Sequence, residues 1–272
     1  MPDLIVIKSN SKIKVLAEFV KIFKYRTIVR SFIIRDIKIN YAQTKLGIVW
    51  SFIQAITAAI IVNFFFGNVM HLQIKNVAYI VYAFPGMMGW YYFSYMVQNS
   101  GTSLIQWQHI IKKVYFPKLI LPFYKSLVGL VEFFIWMILL LLLMLYNGTP
   151  LSVNVLLLPV GIVLNIITGL SIAIWLCALS VRYRDALHFI PFVVGFGILA
   201  TPVFVETSML PKSLSYVMYF NPMAGVISVY RWCFLNIPFS PYYLFGFIPV
   251  ILLLISGTYY FRKMEKYMSD LL

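Results

Sequence analysis

The run LPFYKSLVGLVEFFIWMILLLLLMLY, residues 121–146, decides the fold class of this chain. A helix needs about 20 mostly apolar residues to cross the hydrocarbon core of a bilayer, and this run exceeds that length. Five further apolar runs of comparable kind lie at 48–69, 77–104, 153–181, 187–205 and 242–261. The sequence therefore predicts an all-α polytopic membrane protein with six transmembrane helices.

The composition of the whole chain agrees with that prediction. Of its 272 residues, 62% are hydrophobic and 11% are charged, whereas about a quarter of the residues of a soluble domain are charged. The first apolar run is long enough to span and has no small-residue cleavage site after it, so no signal peptide is expected. Cys177 and Cys233 fall on opposite sides of the predicted topology, and we interpret both as packing residues.

The basic residues indicate the orientation of the spans. Between Gly47 and Phe261 there are nine Lys and Arg side chains, and the six spans leave three of them on one side: Lys75, Lys212 and Arg231. The other 19 of the 22 basic residues fall on the opposite side, which is typical of the cytoplasmic side. This split predicts a polytopic inner-membrane protein with both termini in the cytoplasm.

The N-terminal region, residues 1–46, precedes the first span and carries ten of the basic residues. We expect these to meet anionic headgroups or an acidic partner rather than nucleic acid. Apolar side chains recur in this region at helical spacing: Val29, Phe32, Ile33, Ile37 and Tyr41. The pattern predicts an amphipathic helix at the membrane interface that turns into the first span at Gly47.

Residues 206–241 form an apolar segment that is interrupted by four prolines. We predict two short helices here, at 212–219 and 223–235. They either dip back into the outer leaflet as a re-entrant segment or form an outer amphipathic loop. No internal repeat or linker is visible, so residues 1–272 are predicted to be one domain, with a core at 48–261 and a cytoplasmic tail at 262–272.

Several kinds of chemistry have no matching motif. The chain contains no GxxxxGK[ST] loop, so it has no P-loop ATP site of its own. Its three histidines are far apart in sequence, which argues against a metal hydrolase.

Glu132 is the acidic residue well within a span. Two roles stay open for it: a structural role, in contact with a neighbouring helix or a water-filled cavity, and an ion-coupling role. We interpret Gln54, Asn63, Asn165 and Thr168 as interhelical hydrogen-bonding groups, and the small residues at 161, 165, 169, 173 and 177 as a close-packing stripe.

A set of motifs in a fixed order resembles the ABC-2 type permeases that export bacterial cell-surface polysaccharides. The motifs are Arg35-Asp36-Ile37-Lys38 with Tyr41, Thr44, Gly47 and Trp50; Pro85-Gly86 with the aromatic run 90–93; Lys112-Lys113-Val114-Tyr115-Phe116-Pro117; Arg182-Tyr183-Arg184-Asp185; Thr201-Pro202-Val203; and Asn221-Pro222-Met223 with Tyr230-Arg231. The resemblance covers the chain from Arg35 onward and is strongest to permeases for O-antigen and teichoic acid.

This resemblance implies a homodimer that works with a separate ATPase subunit, which binds ATP and Mg, on an undecaprenyl-linked glycan. It implies that the path for the glycan is lined by aromatic residues of the second span: Tyr79, Tyr82, Phe84, Trp90, Tyr91, Tyr92, Phe93 and Tyr95. An interfacial aromatic belt is the alternative interpretation of the same rings.

The resemblance also implies a contact with the ATPase in the loop 106–116, through His109, Lys112 and Lys113. Arg182, Arg184 and Asp185 provide a second candidate contact. Simple retention of positive charge in the cytoplasm is the alternative for the lysines. Arg35 and Lys38 are candidates for binding the pyrophosphate of the lipid-linked donor. An exporter of a smaller lipid or drug, an ion-coupled carrier and a membrane-embedded enzyme are the competing functions.

Overall fold

The computed structural model describes residues 15–42, 46–71, 77–183 and 185–265. The elements of that part of the chain are helices. They are α1 (Val15–Lys24), α2 (Arg26–Ile37, continued by a π-helical turn Lys38–Ala42), α3 (Ile48–Val62, continued by Asn63–Val69), α4 (Tyr79–Tyr95, continued by Met96–Ser100), α5 (Ser103–Gln106), α6 (Gln108–Ile111), α7 (Ile120–Tyr146), α8 (Leu158–Arg182, preceded by a 3-10 turn Val153–Leu157), α9 (Ala186–Gly197), α10 (Lys212–Tyr219), α11 (Pro222–Leu235) and α12 (Phe247–Glu265, preceded by a 3-10 turn Pro241–Gly246). A further 3-10 turn covers Thr207–Met209.

Four of these helices are long and apolar enough to cross a bilayer, counted with their adjoining turns. They are Ile48–Val69, Ile120–Tyr146, Val153–Arg182 and Pro241–Glu265. Helix α7 alone has 27 residues, which corresponds to a length of about 40 Å at the rise of an α-helix. These four helices confirm the first, third, fourth and sixth predicted spans as apolar helices of membrane-crossing length.

The second and fifth predicted spans differ from this pattern. Helix α4 with its π-helical turn covers most of the predicted 77–104, but its side chains are aromatic and mostly buried in the protein. Helix α9 has 12 residues, which is about 18 Å and too short to cross the hydrocarbon by itself. The chain continues from α9 through turns at 198–203 rather than as the helix that the sequence predicted.

The amphipathic helix predicted near the N-terminus is α2, which we call the interface helix. Its apolar residues Val29, Phe32, Ile33 and Ile37 pack into a buried cluster with the start of α7, as the spacing predicted. Gly47 has φ 47°, in the left-handed region, where a residue without Cβ avoids steric strain. The two short helices predicted for the proline-rich segment are also present, as α10 and α11.

Two buried clusters divide the molecule. The basic half joins α1, the interface helix, the loop after α4, the start of α7 and the ends of α8 and α12; its buried members include Ile22, Val29, Trp107, Phe116, Tyr124, Ile174 and Phe261. The aromatic half surrounds α4 with α3, the later part of α7, α9 and α11; its buried members include Ala55, Phe84, Tyr92, Phe133, Trp136, Tyr230 and Phe234.

Small residues allow the helices of the aromatic half to approach closely. A Cβ added to Gly89 would lie 2.9 Å from the ring of Tyr230, and one added to Gly161 would lie 3.0 Å from the same ring. Asn165 donates to the Gly89 carbonyl at 3.0 Å and to the Tyr230 hydroxyl at 3.2 Å. The predicted close packing and the interhelical role of Asn165 are confirmed, whereas Thr168 donates within its own helix to Leu164.

Candidate functional site

The aromatic residues of α4 that were predicted to line a path are mostly inside this chain. Their exposure is at most 6% for Tyr79, Tyr82, Phe84, Trp90, Tyr92 and Phe93. The polar tips of two of them bond to backbone of other elements: the Tyr79 hydroxyl donates to the Phe204 carbonyl at 2.9 Å, and the Tyr92 hydroxyl donates to the Ser126 carbonyl at 3.0 Å. In this conformation these six rings support the packing of α4.

Tyr91 and Tyr95 differ from the other rings of α4. Tyr91 is 40% exposed, and its ring stacks on Trp136 of α7 with centroids 4.3 Å apart. Tyr95 is half-buried and lies against Gly129 of α7, where a Cβ would collide with its ring. The exposed face of Tyr91 is therefore the part of the predicted lining that a second molecule can reach.

Arg231 of α11 is buried, with 6% exposure. Its guanidinium donates to the carbonyl of Pro202 at 3.0 Å and to the carbonyl of Val203 at 2.6 Å, both in the turn after α9. It also lies 3.9 Å from the centroid of the Tyr82 ring. Arg231 therefore joins α11, α4 and the end of the fifth apolar run. Backbone carbonyl oxygens and the face of an aromatic ring, rather than a carboxylate, interact with its charge.

The loop after α4, residues 103–119, is fixed to the interface helix by aromatic side chains. Phe32 of the interface helix lies 4.2 Å from Trp107, 5.7 Å from Phe116 and 5.3 Å from Tyr124, measured between ring centroids. Trp107 and Phe116 are both buried, so the two ends of the loop are held in one cluster with the start of α7. The loop and the interface helix therefore form one packed unit.

The tip of that loop projects from the molecule. His109, Lys112 and Lys113, the predicted contacts with an ATPase, are exposed. Val114 is 52% exposed and Tyr115 is 80% exposed. An exposed tyrosine on a loop whose ends are anchored is a suitable arrangement for contact with another protein, because aromatic residues are enriched at protein interfaces.

The second predicted contact lies at the end of α8. Arg182 is exposed and its guanidinium lies 5.3 Å from the centroid of the Tyr183 ring. Asp185 is also exposed and precedes α9. Arg184 is outside the residues that the structure describes. Among the described residues, no hydrogen bond joins this turn to the loop tip.

A buried ion pair joins the interface helix to α7. Lys125 Nζ lies 2.7 Å from Asp36 Oδ2, and both side chains are about nine-tenths buried. The Tyr124 hydroxyl donates to the same carboxylate oxygen at 3.2 Å. Arg35, the neighbour of Asp36 and a predicted pyrophosphate ligand, lies 4.3 Å from the centroid of the Trp107 ring, while Lys38, the other predicted ligand, is exposed at the end of the helix.

Glu132 bridges the two sides of the bend between the interface helix and α3. Its Oε1 accepts a hydrogen bond from the Tyr41 hydroxyl at 2.8 Å and another from the Ser51 hydroxyl at 2.8 Å. Burial and, to a smaller extent, this hydrogen bond to the carboxylate raise the pKa of the Tyr41 hydroxyl. The hydroxyl therefore keeps its proton and remains the donor. The contacts support the structural interpretation of Glu132, because neighbouring elements satisfy the carboxylate.

A further polar network joins the two ends of the described chain. Arg262 of α12 lies 3.1 Å from Glu18 of α1 and forms an ion pair with Glu265. Glu265 accepts from the backbone N–H of Lys118 at 3.3 Å, and its carbonyl accepts from the Lys118 ammonium at 3.2 Å. This network attaches α1 and α12 to the base of the loop that carries the exposed tip.

Sequence reasoning missed the Asp36–Lys125 pair and the role of Arg231. Lys125 was counted among the basic residues of the cytoplasmic side, yet it lies in the first turns of an apolar helix. A charged residue inside a candidate span requires a partner, and that rule was the available signal. It did not say which of the acidic residues would be the partner.

No group of three or more His, Cys, Asp or Glu that could hold a metal ion occurs within the described residues. Cys177 and Cys233 are both buried and free, in agreement with their interpretation as packing residues. The polar groups described above hold helices to one another, and the tip of the loop after α4 is exposed. The fold defines a multi-pass helical membrane protein, and the exposed loop tip is available for contact with other molecules.

Comparison with known proteins identifies the family of membrane proteins to which the chain belongs. The chain belongs to the ABC-2 type transporter family, whose pattern it matches over residues 28–235. It is similar to an O-antigen export system permease protein RfbA of Klebsiella pneumoniae, with 27% identity over 240 residues, which is 88% of this chain and 92% of that protein. It is also similar to an O-antigen export system permease protein RfbA of Myxococcus xanthus, with 24% identity over 256 residues, 92% of this chain and 98% of that protein.

Proposed function

We propose that this chain is the membrane-spanning subunit of an ATP-driven exporter that moves a lipid-linked cell-surface polysaccharide, of O-antigen or teichoic acid type, across the bacterial inner membrane. The observation that carries this proposal is the near end-to-end match to O-antigen export permeases, which spans 88% to 92% of this chain. The sequence motifs from Arg35 onward point in the same direction.

On this proposal residues 1–272 form one permease unit with six spans, and two copies form the transport path. Both termini lie in the cytoplasm, which the distribution of Lys and Arg supports. The fifth span then consists of α9 and the turns after it. The helices α10 and α11 form a re-entrant segment. The Arg231 bonds to the turn after α9 support burial of α11 in protein, which broken backbone at membrane depth requires, whereas α10 has no buried residue in the single chain.

ATP and Mg are bound by a separate ATPase subunit, since this sequence has no P-loop. The loop tip with His109, Lys112 and Lys113 is the proposed docking point, with the turn at Arg182, Arg184 and Asp185 as a second contact. The packing of Phe32 against Trp107 and Phe116 supports this assignment, because it gives the loop a rigid connection to the interface helix.

The glycan passes between two copies of the chain while its undecaprenyl anchor stays in the bilayer. Tyr91 is the proposed sugar contact within the aromatic set of α4, because its face is exposed in a single chain. Aromatic faces contact the C–H surfaces of sugars without one fixed hydrogen-bond pattern. Arg35 and Lys38 are the proposed contacts with the pyrophosphate of the donor.

An exporter of a smaller lipid or drug is the second candidate from the same transport class. An ion-coupled carrier is less well supported, because Glu132 lies between two hydroxyl donors that hold it in a structural contact. Neither alternative accounts for the match to O-antigen permeases along nearly the whole chain.

The proposal is tested by deleting the gene in its own bacterium and following the surface glycan. We expect the glycan to disappear from the cell surface and its lipid-linked form to accumulate inside, with both changes reversed by the intact gene. A second strain, in which the ATPase subunit is deleted, should show the same phenotype. Normal surface glycan in the deletion strain would leave the smaller-substrate exporter as the better interpretation.

A further inference from the structure

A cavity of about 240 Å³ opens between the interface helix and the short helices of the loop after α4. Seven residues line it: Arg35, Asp36, Gln106, Trp107, His109, Ile110 and Lys125. One wall therefore comes from the helix expected at the membrane surface, and the other comes from the loop whose tip is exposed. The floor comes from α7.

The charges at the floor of this cavity cancel each other. Asp36 and Lys125 form their ion pair there at 2.7 Å, and Tyr124 donates a further hydrogen bond to the carboxylate. A buried pair that is completed in this way has little remaining capacity to attract a ligand. Its effect is to hold the backbone of the interface helix, and thus the neighbouring Arg35, in position.

The positive charge that remains belongs to Arg35. Its guanidinium lies over the ring of Trp107 at 4.3 Å, and Trp107 is itself fixed by Phe32 at 4.2 Å. A guanidinium that stacks through its face keeps the N–H donors along its edge available for a ligand. Within the described residues Arg35 makes no ion pair, and the imidazole of His109 lines the opposite wall.

We propose that this cavity is a binding site for one anionic group of the phosphate class, held between Arg35 and His109. Arg matches the geometry of phosphate oxygens with two parallel N–H donors. The volume is sufficient for a phosphate or pyrophosphate group, and the membrane-surface position of the interface helix gives two sources. The anion is either the pyrophosphate of the lipid-linked glycan, which rests on the proposed function, or the phosphate headgroup of an anionic bilayer lipid with no compensating positive charge.

An anion at this place adds a second link between two elements that Phe32 and Arg35 already join through Trp107. Its oxygens accept from Arg35 on the interface helix and from His109 on the loop, so binding restricts their relative movement. Because the loop is the proposed docking point for the ATPase, the site gives the transported molecule a direct contact with the coupling element.

The test uses the full-length chain in nanodiscs of phosphatidylcholine, titrated with inorganic pyrophosphate while its thermal unfolding is followed. We expect a saturable rise in the melting temperature, since a ligand that binds the folded state stabilises it. Arg35→Gln should weaken the apparent affinity about tenfold, the effect expected when a charge-assisted hydrogen bond is lost. The matched control is Arg30→Gln, which removes an exposed charge from the same helix but does not line the cavity.

His109→Gln provides a second variant on the opposite wall, useful if Arg35→Gln does not fold, and it should also weaken the response. Nanodiscs that contain phosphatidylglycerol distinguish the two sources. If that lipid raises the melting temperature through Arg35 and suppresses the response to pyrophosphate, the occupant is a lipid headgroup. The proposal is overturned if neither phosphate source stabilises the chain, or if Arg30→Gln loses the response as fully as Arg35→Gln. Such a failure leaves the deletion experiment on glycan export unaffected.

Discussion

The basic half and the aromatic half of this molecule bury charge in two different ways. In the basic half, side chains meet side chains from distant elements: Asp36 meets Lys125, and Glu18 meets Arg262. In the aromatic half, Arg231 bonds to backbone carbonyls of a turn and to an aromatic face. A side-chain pair joins two helices through two opposite charges, whereas Arg231 joins α11 to α4 and to the turn after α9 through one charge and uncharged acceptors. The two halves should therefore respond differently to the loss of a charge.

The largest effect is expected from Asp36→Ala in the basic half. It leaves the ammonium of Lys125 buried without its partner, and breaking a buried pair in this way costs about 3–5 kcal/mol. The measurement is the unfolding free energy, or the melting temperature where unfolding is irreversible. Asp36→Ala combined with Lys125→Met should recover most of the loss, because no uncompensated charge remains. A single variant as stable as the original chain would show that the pair does not hold the interface helix.

A smaller loss is expected from Arg231→Gln in the aromatic half. The carbonyls of Pro202 and Val203 lose their charged donors, which is worth about 2–3 kcal/mol for bonds of this kind. Arg231→Lys keeps the charge but not the planar guanidinium, so its stability should lie between those of the original chain and of Arg231→Gln. Lys212→Gln, an exposed change on α10, is the matched control and should be neutral. Equal stability of Arg231→Gln and the control would show that the Arg231 bonds do not stabilise the aromatic half.

The third effect concerns packing without charge. Gly89→Ala places a Cβ 2.9 Å from the Tyr230 ring, and overpacking of this kind typically costs about 1–3 kcal/mol. The matched control is Gly195→Ala in α9, where an added Cβ meets nothing within 4 Å. The measurement is the melting temperature, which should fall further in Gly89→Ala than in Gly195→Ala. An equal fall in both variants would contradict the tight fit between α4 and α11.

The sequence predicted those features that depend on local pattern. The apolar runs at 48–69 and 121–146 are long and uninterrupted, so length and hydropathy located α3 and α7. The spacing of Val29, Phe32 and Ile33 was sufficient to predict which face of the interface helix is apolar. Periodicity reports which face of a helix is apolar, and these elements required no more than that.

Other features depend on contacts that no local pattern records. Residues 198–203 are as apolar as the helix before them, so hydropathy did not distinguish the turns from a continuing span. The aromatic residues of α4 surround the whole helix, and composition therefore did not say that Tyr91 is the exposed ring. The partner of Asp36 lies on another helix, and its identity is set by the packing of Phe32, Trp107 and Tyr124 around it.

The polar contacts of the basic half have a consequence for the order in which the chain is made. Tyr41 and Glu132 are 91 positions apart in sequence, and Glu18 and Arg262 are 244 positions apart. At a synthesis rate of about 5–20 residues per second, Arg262 leaves the ribosome roughly 12 to 50 seconds after Glu18. Until Glu132 is made Tyr41 lacks its partner, and until Arg262 is made Glu18 lacks its partner. Anionic headgroups are the available contact for the basic residues around them during that time. The N-terminal region is therefore made first and completes its contacts last.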